Sequence, residues 1–248
     1  MDGEASGKAL PGYRRRILIE PRPGSVTAEL EDDYHRMAVT LTHAGGVITA
    51  VDSAMKRSPW TTCPGAIAQL GATFLGKALD ASARDEKTLN CTHLFDLATF
   101  AAGHAGGSAP VSYEIEVSDP VDGSVEARLW RDGAPVFHWR TTDGILTAPA
   151  DMAGIEMMAG IGRWIAAQPA ALQEPARILR WAAMIAHGRA IAMPAGMSAT
   201  HFATGACFTF QPDMAKHGTR RPGADVDFTA QGRSPLADRE AMFARPDR

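Results

Sequence analysis

Hydrophobic positions change their spacing three times along this chain. Residues 13–51 carry short β-prone runs separated by turn residues: Ile17-Leu18-Ile19, Val26-Thr27-Ala28 and Met37-Ala38-Val39-Thr40-Leu41. Ala44-Gly45-Gly46 stands between Leu41 and Val47-Ile48, a hairpin signal because glycine tolerates positive φ there. From Pro59 the spacing changes to three and four. Ile67, Leu70, Gly71, Phe74, Leu75 and Leu79 predict an amphipathic helix over about 64–80. A polar stretch from Asp80 to Asn90 follows, then a second helix over about 91–102. Leu94, Leu97, Ala98 and Ala101 form its apolar face, and Asn90 is placed to cap it.

Gly103 to Pro110 is a small-residue break. Val111 to Thr142 returns to a period of two, with Tyr113, Ile115 and Val117 and then Val125, Ala127 and Leu129 alternating with polar neighbours. Arg131-Asp132-Gly133-Ala134 supplies the next turn, before Val136-Phe137-His138-Trp139. After Pro149 the pattern is helical over about 151–167 and 174–191, while the last fifty residues have no clear period. Two strand blocks separated and followed by helices predict an α+β fold rather than a regular βαβ series. The expected organisation is a loose leader over 1–12 and a single α+β domain over 13–248, helical from about 150.

Hydrophobic residues make up 45% and charged residues 21% of the 248, a globular rather than a disordered mixture. A net charge of −3 gives no basic field for nucleic acid or an anionic membrane. Arg14-Arg15-Arg16, the one compact basic run of the first half, is expected to be a solvated strand edge. No apolar stretch approaches the ~20 residues of a membrane helix, and the acidic start Met1-Asp2-Gly3-Glu4 lacks the layout of a signal peptide. Three cysteines without an export signal are expected to be reduced thiols in the cytoplasm.

Two of those thiols stand where a helix begins. Cys63 precedes Pro64, a residue favoured at the first helical position, and Cys91 follows Asn90. Near a helix N-terminus, unpaired N–H groups favour a thiolate. His93 is then a base, an acid or a ligand. The competing reading is an inert core thiol for each cysteine and a capping or surface role for the histidine. Cys207, between Ala206 and Phe208, reads as core packing. Asp32-Asp33-Tyr34-His35 sets carboxylates beside an imidazole. Strand spacing would give Asp33 the same face as His35 and leave Asp32 solvated.

The usual templates are missing. There is no Gly-rich phosphate loop, Gly-x-Ser-x-Gly elbow or His-Glu-x-x-His. Cys91-x-His93 matches no common zinc spacing, and the second half of a Rieske pattern is absent. No cofactor is predicted. A metal, if one is bound, would be zinc or iron on His35, Cys63, Cys91 and His93. On a regular helix Cys91 and His93 point about 200° apart, so joint binding needs Cys91 on the cap or before it.

The text Asp32-x-x-His35-x-Met37, Ala54-Met55, Pro59-x-x-x-Cys63-Pro64-Gly65-Ala66 and Cys91-Thr92-His93-Leu94-Phe95-Asp96-Leu97 resembles a bacterial family, domain of unknown function 2889. The resemblance covers about residues 14–105 and, more weakly, Thr204 to Pro212. Asn90 departs from it, standing where a glycine is common. The resemblance implies that His35, Cys63, Cys91 and His93 are the site residues, and it associates the chain with aromatic and steroid catabolism.

The resulting expectation is an enzyme acting on a hydrophobic, aromatic small molecule by acid–base chemistry. His35 or His93 would be the base and a cysteine the acid or hydrogen-bond donor. Without a nucleotide-binding signature, a lyase of the retro-aldol type or an isomerase is expected before hydride transfer. Trp60, Phe74, Phe95 and Phe100, with Met37 and Met55, would line the pocket or, by the commoner use of such stripes, form plain core. The alternative is a non-catalytic or sensory protein with a Cys/His metal site. Thiol redox chemistry lacks a Cys-x-x-Cys. The apolar surplus at Met157, Met158, Ile161, Trp164, Ile165, Ile178, Trp181 and Ile185 leads to the expectation of a homodimer.

Overall fold

In the computed structural model, residues 11–81 and 84–239 are described. The expected leader, 1–12, lies outside them except for Pro11 and Gly12. Among the described residues eight strands are present: β1 (Gly12–Arg22), β2 (Ser25–Asp32), β3 (Arg36–Ala44), β4 (Val47–Arg57), β5 (Val111–Ser118), β6 (Ser124–Arg131), β7 (Ala134–Thr142) and β8 (Ile145–Ala148). They form an antiparallel sheet in the order β4-β3-β2-β1-β5-β6-β7-β8. The helices are α1 (Ala66–Phe74), α2 (Thr92–His104), α3 (Ile161–Ala166), α4 (Ala170–Ala186), α5 (Pro212–Ala215) and α6 (Phe228–Gln231). The fold is α+β. No helix among the described residues is long and apolar enough to cross a membrane.

Contacts within the chain group it into two compact units. Among the described residues, one comprises 16–112, 193–226 and 236–239; the other comprises 11–15, 113–192 and 227–235. In the first, α2 lies across β2 and β3, and α1 lies against β4. The β3–β4 connection is the Gly45-Gly46 turn, with φ of 57° and 79°, the left-handed pair that a two-residue hairpin needs. α2 buries Leu94, Leu97, Ala98 and Ala101 as the spacing predicts, and the core beneath it includes Leu30, Met37, Val39 and Leu41.

In the second unit, Asp132-Gly133 and Asp143-Gly144 make the two turns that join β6, β7 and β8. α4 packs on β6 and β7. Trp139 is fully buried, its ring 5.4 Å from Phe137 and 6.1 Å from Trp164. Met157, Ile161, Ile165 and Ile178 are buried inside this unit too, so half of the eight apolar residues behind the dimer expectation are consumed internally. Trp181 carries the Arg15 guanidinium 4.0 Å from its ring centre. The basic run is therefore not a solvated edge: Arg14 and Arg15 are buried, and Arg14 faces Glu116 at 3.6 Å.

Two helices differ from their periodicity. The first ends at Phe74 because Gly76 turns to φ +77°, and residues 76–79 then exchange backbone hydrogen bonds with Gly46 and Ile48. The expected helix over 151–167 is reduced to a short 3-10 turn and α3, since Gly154 and Ile155 bond to Leu146 along β8. In both places a strand's open N–H and C=O groups capture the segment.

Candidate functional site

The β2–β3 hairpin pairs Glu31 with Arg36 and leaves Asp32 to His35 as its tight end. The Asp32 N–H donates to the His35 carbonyl at 2.9 Å. The return bond is made by a side chain: Asp32 Oδ1 accepts from Tyr34 N at 2.8 Å and from His35 N at 2.7 Å. The same oxygen lies 3.0 Å from His35 Nδ1. This Asx-type turn overturns the strand reading of Asp32-x-x-His35. Asp32 is fully buried rather than solvated, and it, not Asp33, is the partner of His35.

Arg57, near the end of β4, holds this turn from outside. Its guanidinium donates to the carbonyls of Asp32 and Asp33 at 2.7 Å each and to Glu31 Oε1 at 3.2 Å. The Val226 N–H donates to the Asp33 carbonyl at 2.7 Å. With its carbonyls engaged, the turn presents the His35 ring in one orientation.

His93 is the second residue of α2, and because α2 crosses β2 and β3 its first turn reaches the hairpin end. The two imidazoles stack with ring centres 3.7 Å apart and planes 27° apart. Both are buried. Asp32, His35 and His93 offer donor atoms within 4.8 Å of one another. Two imidazoles sharing one ion at ~2.1 Å would hold their ring centres ~4.5 Å apart at a right angle and ~5.2 Å at a tetrahedral one. The observed stack is closer than either, and His35 Nδ1 already faces Asp32. The geometry is that of a hydrogen-bonded carboxylate–imidazole pair with a second imidazole against it.

The thiols gather nearby in the chain's first unit. Cys63 opens the 3-10 turn Cys63–Gly65, and Cys91 is the N-cap of α2, a role expected of Asn90. Asn90 is instead buried, its side-chain amide donating to Thr73 Oγ1 at 3.0 Å and to the Glu86 carbonyl at 2.9 Å. Cys207 is half-buried and close enough to the other two for their charges to interact. All three are free thiols.

Burial pushes Cys63 up, against hydrogen bonds from Thr209, Trp60 N–H and Ser58 and the charge of Arg221. Burial and the neighbouring Cys63 push Cys91 far up, although N–H groups at the helix start pull the other way. Cys207 is raised to about 11, again mainly by burial. The expectation of helix-start thiolates is thereby corrected. Desolvation outweighs the helix terminus, and these are neutral thiols at pH 7.

Segment 193–226 completes the surroundings. Thr209 Oγ1 is 3.4 Å from Cys63 Sγ, and the Phe208 N–H donates to the Asn90 carbonyl at 2.9 Å. Trp60 packs edge-on to Phe202 and Phe210, with Cys63 in the same cluster. The buried Arg220 guanidinium lies 5.7 Å from the ring centres of both Tyr34 and Trp60. Phe74 and Phe95 pair edge-to-face elsewhere beneath α1 and α2, as core.

Of the four residues singled out in the sequence, His35 and His93 are in direct contact, and Cys63 and Cys91 are near neighbours. Cys91 shares the first turn of α2 with His93. Asp32, Thr209 and Arg220 were missed. For Asp32 a signal existed, aspartate at the head of a tight turn. For Thr209 the signal was its place in the weaker resemblance over Thr204 to Pro212; around Arg220 the sequence has no period, and no local pattern marks it. Comparisons with protein-family models, curated proteins and solved structures returned no match.

Proposed function

We propose that this chain is an acid–base enzyme that acts on a hydrophobic, aromatic small molecule, best read as a retro-aldol-type lyase or an isomerase. We also propose that it belongs with the bacterial family, domain of unknown function 2889, whose motif text it resembles. The observation that carries the reading is the buried Asp32 Oδ1–His35 Nδ1 pair at 3.0 Å with His93 stacked on it. A carboxylate on Nδ1 holds the proton there and leaves Nε2 as the base, as in the oriented imidazoles of acyl-transfer enzymes.

In the lyase reading, His35 Nε2 takes the proton of a substrate hydroxyl. The C–O bond becomes a carbonyl, the adjacent C–C bond breaks, and its electron pair stays on the departing carbon. A proton then returns to that carbon from His93 or from a neutral thiol, for which a raised Cys63 is suited. Such general acid–base steps contribute about 10²–10⁴ in rate.

The test is a panel of aryl β-hydroxy compounds incubated with the protein, with aldehyde release and solvent-deuterium incorporation read by mass spectrometry. Wild-type turnover should be lost in His35→Gln while the melting temperature is kept. Turnover unchanged in His35→Gln would end the reading. A second reading rests on the 4.8 Å grouping of Asp32, His35 and His93 donors, which would hold a divalent metal after the imidazoles part. A stoichiometric ion in the purified protein, lost in His93→Gln, would favour it.

A further inference from the structure

We infer that Arg220 and Arg221 form an anion subsite beside the acid–base centre, where the carboxylate of an aromatic acid is held while its ring meets Phe202 and Phe210. This rests on the proposed acid–base function and adds the class of substrate. Arg220 is 3% exposed, its guanidinium flanked by Tyr34 of the hairpin end and by Trp60 of the Cys63 cluster. It therefore links the hairpin that carries the Asp32–His35 pair with the aromatic cluster.

The guanidinium has five N–H donors. Among the described residues its side chain gives one hydrogen bond, from Nη2 to Asp225 Oδ1. That aspartate side chain is 55% exposed, so water competes for it while the arginine stays buried. A ligand carboxylate entering from the same side would meet donors already oriented by two rings.

Arg221 adds a second positive charge. Its backbone N–H donates to the Pro59 carbonyl at 2.9 Å, next to the bridge between Trp60 and Arg220, and its side chain is half-buried. Its charge is felt at the Cys63 thiol. No carboxylate among the described residues pairs with Arg221, so the stretch 220–225 carries two guanidiniums and one aspartate, and that aspartate is bonded by Arg220. Phe202 and Phe210 are half-buried, with rings 5.3 Å and 5.6 Å from Trp60, and offer apolar edges for a ring.

The test compares cinnamate with cinnamamide, which share shape but not charge, and with 4-ethylphenol, by calorimetry on the full chain. Cinnamate should bind at least about tenfold more tightly than cinnamamide and 4-ethylphenol. The preference over the amide should fall to about threefold or less in Arg221→Gln and vanish in Arg220→Gln. Because Arg220 is buried and its variant can misfold, Arg221→Gln, on a half-buried loop position, carries the test alone if necessary. His35→Gln should keep the preference. Equal binding of acid and amide, a preference for the phenol, no binding of cinnamate at about 10 mM, or a preference that survives Arg221→Gln would each overturn the subsite. A preference lost in His35→Gln instead would place the anion at the imidazole. Turnover lost in His35→Gln without any carboxylate preference leaves the acid–base reading standing and removes only this inference.

Discussion

Replacing Asp32 separates its structural work from its chemical work. Its Oδ1 accepts two backbone N–H groups and faces His35 Nδ1, all in a buried turn. Asp32→Ala leaves three donors without that acceptor, each costing about 1–3 kcal/mol. Relief from burying a carboxylate offsets part of this, so a net loss of about 3–5 kcal/mol is expected. Asp32→Asn keeps an acceptor oxygen and loses only the charge assistance, for a net loss of about 1–2 kcal/mol. With a urea slope of about 2 kcal/mol/M, the midpoints should fall by about 2 M and about 0.5–1 M. Turnover should fall by about 10²–10⁴ in both, since the asparagine no longer fixes or balances the imidazole. The measurements are urea melts followed by tryptophan fluorescence and the substrate assay above. An Asp32→Asn protein with wild-type turnover, or an Asp32→Ala protein with an unshifted midpoint, would refute the assignment of this turn.

Four further outcomes follow from other hydrogen bonds and from burial. Arg57→Met should destabilise the unit that contains it by about 3–5 kcal/mol, because it strips two short carbonyl bonds and leaves buried Glu31 short of a cation. Arg57→Lys should recover only part of this, and faster hydrogen exchange at the His35 amide would report the loosened turn. Iodoacetamide at pH 8 should modify half-buried Cys207 slowly and Cys63 and Cys91 hardly at all, with all three reacting in denaturant. For Cys207 the protonated form is favoured in the fold, so its contribution is present below the unfolded thiol's pKa and is lost as pH rises through about 11. Asp227 is opposed by partial desolvation, but Thr229, the Ala230 N–H and Arg189 hold it down at about 2. Its stabilisation is present above the ordinary carboxylate pKa and should disappear as pH falls through about 2; Asp227→Asn, followed by hydrogen exchange over residues 227–235, should lack that acid-dependent step.

Much of the strand framework was legible from local chemistry. Gly45-Gly46 and Asp132-Gly133 announce their hairpins because only residues that accept positive φ fit those turns. The face of α2 followed from four apolar positions at helical spacing. Periodicity failed where tertiary partners intervened. Leu75 and Leu79 continue a helical spacing, yet the chain leaves the helix at Gly76 to pair with the β3–β4 turn. Asn90 has capping chemistry, yet Thr73 and Glu86 claim its side chain.

Sequence alone determined the α+β class, the Gly45-Gly46 and Asp132-Gly133 turns and the prominence of Cys63, Cys91 and His93, because each rests on residue type and on spacing of a few positions; His35 joined them through the family resemblance. Tertiary structure decided how those residues act. A turn that folds Asp32 back onto His35, the stacking of two imidazoles 58 positions apart in number (35 to 93), and burial deep enough to keep the thiols neutral all depend on which groups lose water together. Desolvation and contact between distant segments have no local period, so they become visible only when the chain is folded.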